Sequence, residues 1–196
     1  MEQNSADDLG TLAGRFLDVI EADVLPLTRL GVAAGNKLFG AALVLKSDLS
    51  LVLAETNNEI VSPLHHGEMH LLKRFHELPA HTRPQPKDMW FISTHEPCSL
   101  CMSAITWAGF DNFWYFFSHE DSRDAFAIPH DLRILKEVFG LEPGGYAKRN
   151  AFWIARSIRN HAGPERSGQI TRLMSAYDEV SALYQAGKDA NAIPLR

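Results

Sequence analysis

Two short groups of residues in this sequence carry side chains that bind metals and move protons: His66-Gly67-Glu68 and Pro97-Cys98-Ser99-Leu100-Cys101. The chain's two cysteines both fall in the second group. Three positions apart, Cys98 and Cys101 share one face of a helix and can give sulfur to a single ion. At a helix start, free backbone N–H groups and the helix dipole favour the thiolate. One imidazole and two thiolates suit zinc, Zn2+. His66 and Glu68 are two apart, a spacing that sends side chains to opposite sides in mid-helix. Over the open N-terminal end of a helix both can reach the same ion.

Three protein ligands leave a fourth position for water, whose pKa zinc lowers from about 16 towards roughly 7. Glu68, outside the ligand set, can take the water's proton and pass it to a leaving amine. This is a layout for hydrolytic deamination at an amidine-like carbon. Two other readings use the same residues. Cys98 and Cys101 could form a redox pair, although the strand-then-helix placement of such a motif is matched only loosely. His70, four residues after His66, could close a structural zinc site, which would leave Glu68 without a role.

The elements that must position these groups follow from apolar spacing. Leu9, Leu12, Phe16, Val19 and Ile20 predict a first helix to about residue 22, with Ser5 and Asp8 as a weak capping box. Pro26 is expected to interrupt it, with a shorter helical piece ending at Gly35-Asn36. Residues 38–46 read as a buried strand and 50–54 as its hairpin partner. Residues 66–78 turn helical, 88–94 form a strand, and Pro97 opens a helix over 98–107. Phe113 to Phe117 form an aromatic strand with no solvated face. Helices are expected near 131–139, 152–158 and 170–183. Glu68 and Cys98 are 30 positions apart, room for a helix, a loop and a strand. A right-handed crossover then puts both helix starts at the same end of the sheet. Alternating strands and helices imply one α/β layered domain over residues 1–196, with a core of about 8–140 and a helical extension over about 145–190.

Composition narrows the partners. The chain has 196 residues, 45% hydrophobic and 22% charged, as in an ordinary globular protein. Its 24 acidic and 19 basic residues give a formal charge of -5, with no outstanding Lys/Arg cluster, which argues against a polynucleotide substrate. No run of about 18 apolar residues occurs, so no membrane span is expected. The polar, acidic start lacks the pattern of a secretion signal, and the expectation is a cytoplasmic protein.

With those residues in view, the chain resembles the cytidine deaminase-like superfamily, whose zinc signature is His-x-Glu followed by Pro-Cys-x-x-Cys. Within it, the sequence is most similar to guanine deaminases and tRNA adenosine deaminases. Phe39-Gly40-Ala41 resembles the family's first-strand Pro-Phe-Gly-Ala. Ser62 to Glu68 resembles Asp-Pro-Thr-Ala-His-Ala-Glu. Glu96 to Cys101, continuing through Ala104-Ile105-Thr106-Trp107-Ala108-Gly109, resembles the purine-type helix. The likeness covers roughly residues 8–130. It implies a three-layer α/β/α fold with a five-stranded mixed sheet, extra C-terminal helices, and commonly a homodimer. The family's base-contacting Asn would fall on Asn58, or else on Asn57. Phe39 and Trp107 are candidate walls for a flat base. Gly67 is similar to the fungal cytosine enzymes, whereas Glu96 and the helix after it favour a purine. A free nucleobase or small aminated heterocycle, guanine-like, is the expected substrate. The alternatives are a tRNA adenosine, a cytosine-type base, or a non-catalytic zinc or redox role. From the poorly matching C-terminal part, His119, Glu120, Asp121, His130, Asp131, Tyr146 and Trp153 are candidates to close the pocket.

Overall fold

A computed structural model describes residues 6–141, 145–191 and 193–195. Five strands form one sheet in the order β2-β1-β3-β4-β5. They are β1 (Gly40–Leu45), β2 (Leu51–Thr56), β3 (Met89–His95), β4 (Asn112–Phe117) and β5 (Ile154–Ser157). β1 pairs antiparallel with β2 and β3, whereas β3, β4 and β5 run parallel. Seven helices are described: α1 (Ala6–Val19), α2 (Leu25–Ala33), α3 (Gly67–Glu77), α4 (Ser99–Trp107), α5 (His119–Asp124), α6 (His130–Glu137) and α7 (Ser167–Gly187). This is the expected three-layer α/β/α arrangement, with the long α7 as C-terminal addition. None of the described helices is long and apolar enough to cross a membrane.

The central strands β1, β3 and β4 are buried on both faces, so they read as largely apolar runs and still sort their side chains by alternation. Ala42 and Val44 of β1, Ile92 of β3, and Trp114 and Phe116 of β4 join Phe16, Leu17, Ile20 and Tyr177 under α1, α2 and α7. Ala41, Leu43, Phe91 and Phe113 point the other way, into a second cluster with Leu71, Phe75 and Ile105 of α3 and α4. Because β2 and β3 both run antiparallel to β1, α3 and α4 leave the sheet at the same end. The two chemical groups therefore meet there.

Three local expectations are corrected. Pro26 does not break the first helix, because a π-helical segment over Ile20–Val24 links α1 to α2. There the N–H of Leu25 reaches Ile20 O, five residues back, and Pro26 falls in the first turn of α2, where its missing N–H costs nothing. Residues 152–158 are not helical. Ile154–Ser157 instead pair with Asn112–Tyr115 as β5, a tertiary pairing that a seven-residue apolar spacing cannot reveal. Pro97 stands before the helix rather than opening it: α4 begins at Ser99, and Cys98 is its N-cap, with its sulfur accepting from the N–H of Cys101. Ser5, of the suggested capping box, lies outside the described residues. The unexpected α5 has a full capping box of its own, Ser118 with Asp121.

Candidate active site

His66 is the N-cap of α3, in extended backbone with φ -58° and ψ 161°, so its ring hangs over the open end of the helix. Glu68 follows in the first turn. What brings this helix start onto the sheet is Gly67. A Cβ there would lie 2.8 Å from Gly40 Cα and 3.0 Å from Phe39 O. Gly67 therefore serves backbone contact between α3 and β1, which removes it as a pointer to substrate. Cys98 is the N-cap of α4, one turn from Cys101.

The three ligand atoms lie within 4.8 Å of one another. Cys98 Sγ is 3.5 Å from Cys101 Sγ, and His66 Nδ1 is 3.5 Å from Cys98 Sγ and 3.7 Å from Cys101 Sγ. A tetrahedron with zinc–sulfur bonds near 2.3 Å and zinc–nitrogen bonds near 2.0 Å has edges of about 3.5–3.8 Å. The observed separations match, so the donor set fits zinc in both chemistry and size. His70 does not join it: its Nδ1 is 2.9 Å from Thr56 O and 3.3 Å from Glu55 Oε2. Among the described residues this leaves three protein ligands, not four.

Protons sit unevenly on these groups. Hydrogen bonding by Cys101 holds Cys98 well below the usual thiol range, against the effect of burial, and His66 adds to it. Burial pushes Cys101 up, and its neighbour Cys98 adds to that. Burial pulls His66 down, but its bond to Cys98 and the charges of Cys98, Glu68 and Glu59 outweigh this and bring it to about 9. A metal binding here must displace protons, so affinity weakens as the pH is lowered. Glu68 is 4% exposed. Its Oε1 accepts from Ser93 Oγ at 2.7 Å and its Oε2 lies 3.3 Å from Cys101 Sγ. Burial first, and then the charge on Cys98, raise its pKa above the usual carboxylate range. A carboxylate raised in this way can hold a proton and release it, as general acid–base catalysis requires.

A cleft of about 350 Å3 opens above this cluster, lined by Phe39, Leu64, Leu100, Ile128, His130 and Asp131, with Lys37, Glu59, His66 and Cys98 among its other walls. At its floor a chamber of about 10 Å3, no more than one water in size, is lined by Phe39, His66, Glu68, His95, Glu96, Cys98 and Asp131. Phe39 lines both spaces. Trp107 does not: it is 90% exposed at the end of α4 and lines neither space. It is the last residue of α4, at the end of the helix opposite the cysteine ligands. Asn57, 2% exposed, is the buried member of its pair. Its Nδ2 donates to Glu59 Oε2 at 2.9 Å, while Oδ1 has no partner. Asn58 is half-buried and makes a turn, accepting from Val61 and Ser62 N–H at 3.2 Å.

The C-terminal candidates divide. His130 and Asp131 line the cleft. Burial first, then the charge on Cys98, raise Asp131 to about 6. Tyr146 and Lys148 clasp the buried Glu96, whose Oε2 also accepts from His119 N–H at 3.0 Å. Asp121 pairs with Arg159, and Trp153 Nε1 donates to Thr106 Oγ1 at 2.9 Å, so these two are structural. Glu120 is exposed. Sequence reading missed the buried Lys37–Glu59 ion pair at 3.0 Å, the approach of Pro194 and Leu195 to the cleft, and His95. Only His95 had a local signal, its place just before Glu96-Pro97-Cys98.

Residues 24–117 match the family described as the cytidine and deoxycytidylate deaminase zinc-binding region. No curated protein matches the sequence. Among solved structures, a guanine deaminase from Bacillus subtilis is 25% identical, with 72% of this chain and 82% of that one covered at a TM-score of 0.52. A guanine deaminase from Nitrosomonas europaea is 19% identical, with 87% and 84% covered at a TM-score of 0.51.

Proposed function

We propose that the chain is a zinc deaminase of the cytidine deaminase-like superfamily, whose zinc-binding region its residues 24–117 match, and that it removes an exocyclic amino group from a free nucleobase or related small aminated heterocycle, with a purine of guanine type favoured. The observation that carries this reading is Glu68, buried beside the three-ligand group with Oε2 3.3 Å from Cys101 Sγ, yet not itself one of the three ligands. Zinc held by His66, Cys98 and Cys101 supplies a Lewis acid that makes a water nucleophilic near neutral pH. Ser93 holds one oxygen of Glu68 and so fixes the rotation of the carboxylate. The other oxygen, on the side of the ligands, takes the proton and delivers it to the leaving amine.

Recognition falls to residues around the cleft. Phe39 offers a flat apolar wall to a planar ring. Of the asparagine pair, Asn57 rather than Asn58 is assigned the polar contact: it lines neither space itself, but Glu59 of the cleft wall orients its amide and leaves Oδ1 without a partner. Several features support a small molecule over tRNA. The described cleft walls contain no arginine, and Lys37 is already paired with Glu59. Asp131 adds acid rather than base to the mouth. A stem-loop backbone would meet no basic groove there. The protein is further proposed to act as a homodimer without nucleic acid or membrane partners.

The test is ammonia release from guanine, adenine, cytosine, their nucleosides and related aminated heterocycles, with an anticodon stem-loop alongside. Release from a free base, purine first, is expected. Conversion of the stem-loop alone would replace the substrate assignment, and no release from any compound would sink the reading.

A further inference from the structure

His95 is the last residue of β3 and ends 3% exposed inside an aromatic box. Ring centroids of Phe39, Phe117, Phe126 and Tyr177 lie 4.6, 4.8, 5.1 and 5.6 Å from its own. Its Nδ1 is tied to Thr94 Oγ1 at 3.0 Å. That hydroxyl is itself fixed, since it accepts from Gly40 N–H at 2.9 Å. The ring is therefore held in place by backbone through one side chain. Its Nε2 is buried and has no hydrogen-bond partner. Leaving a buried polar atom unpaired costs stability, and such atoms call for an explanation.

The surroundings suggest one. His95 lines the chamber that Glu68 and Cys98 also line, directly below the cleft. Its aromatic neighbour Phe39 lines both spaces. Resting on the deaminase reading above, we infer that His95 Nε2 is a substrate contact, giving one uncharged hydrogen bond to a single atom at the heterocycle's edge that takes the one-water space of the chamber. A neutral ring suits this task. Burial, with the charge of Arg159 adding to it, holds the imidazole unprotonated down to about pH 3. It can then offer a single directional bond without repelling or attracting charge on the metal cluster. Such a bond discriminates well, because an analogue lacking the matching atom leaves Nε2 buried and unpaired again. His95 would act on choice of substrate rather than on proton transfer.

Two amide substitutions separate this role from a structural one. In His95→Gln the amide reaches the position of Nε2, and in His95→Asn it reaches that of Nδ1. His95→Leu, which has neither, is expected to raise KM about tenfold for the best heterocycle of the ammonia screen, with kcat and zinc content little changed. His95→Gln should recover most of that loss and His95→Asn little of it. Recovery by Asn and not by Gln would assign the ring to the Thr94 contact, and an unchanged KM in His95→Leu would remove the contact altogether. A second readout does not need turnover. In zinc-loaded Glu68→Gln protein with 15N-labelled histidine, guanine and cytosine are titrated in turn, and the Nε2 resonance of His95 is followed. A shift of Nε2 larger than that of Nδ1 is expected with the base that binds. Saturable binding with no change at Nε2 would overturn the inference while leaving the deaminase reading intact. Failure of the wild-type protein to release ammonia from any compound would count against that reading instead.

Discussion

The two faces of the sheet do different work. Beneath α1, α2 and α7 lies the larger apolar cluster, with Phe16, Trp114 and Tyr177 fully buried. Beneath α3 and α4 lies a smaller cluster, and the helices there bring their N-termini to one edge with His66, Glu68, Cys98 and Cys101. One face is built for area removed from water and the other for the placement of a few atoms. The difference teaches that chemistry in this fold sits at helix starts, where unpaired N–H groups favour thiolate and side chains can converge. The opposite face supplies the rigidity.

If that division is right, the largest functional effects come from the α3/α4 edge. Cys101→Ala should abolish zinc binding and turnover together, read as metal content per chain and ammonia release. Full zinc in that variant would break the ligand assignment. Glu68→Gln should keep zinc yet lower kcat by roughly 10²–10⁴-fold, the usual range for loss of a general acid–base group. Retained kcat in the variant would falsify the proton-carrier role of Glu68.

The other face should answer in stability instead. Phe16 packs edge-on against Trp114, with ring centroids 5.1 Å apart, and touches Trp90 at 6.2 Å. Phe16→Ala should cost about 3–5 kcal/mol in urea unfolding, with zinc content unchanged in the fraction that folds. Loss of zinc from well-folded protein would show that the faces are not separable.

The same division explains what the sequence discloses. The site edge is written locally: His66 to Glu68 and Cys98 to Cys101 each span a few residues, and helix geometry does the rest. The hairpin, β3, β4 and α7 are likewise legible, because their apolar runs are long. What is hidden depends on partners far along the chain. β5 exists through pairing with β4, and Pro26 is tolerated through the π segment before it. Asn57 and Asn58 look alike in sequence, and burial and the Glu59 carboxylate distinguish them only in the folded chain. Gly67 looked like a substrate clue and is instead a contact with Gly40, 27 positions earlier in the chain, that only coordinates reveal.

His95 stands where the two faces meet, its ring among residues of the larger cluster and its place in the wall of the chamber. Burial lowers its pKa to about 3, whereas an imidazole in the unfolded chain binds its proton near 6.5. Between these values the unfolded state holds more protons, so this contribution to stability is whole above about pH 6.5 and falls as pH drops towards 3. At pH 5 the deficit is about 2 kcal/mol, from roughly 1.5 pH units at about 1.4 kcal/mol each. Replacing the ring with a group that does not titrate removes this term. The stability lost by the wild type between pH 7 and pH 5 should therefore exceed that lost by His95→Phe by about 2 kcal/mol. Equal losses would mean that the imidazole is solvated in the folded state, and the chamber would then be open to bulk water.

The smallest expected effect tests the boundary of the site. Trp107 ends α4, the helix that begins with the cysteine pair, yet its indole is 90% exposed and lines neither the cleft nor the chamber. The helix carries its N-terminus to the chemistry and its C-terminus away from it, so the nine residues of α4 lead from the ligand at its N-cap to a surface side chain. Trp107→Ala should move KM by less than about twofold and stability by no more than about 0.5 kcal/mol, the range for surface changes. A tenfold rise in KM would require the indole to reach a cleft other than its own, which only a second copy of the chain can offer. The molar mass of the variant in solution decides that case: a dimer lost together with substrate affinity would place Trp107 at an interface that completes the site.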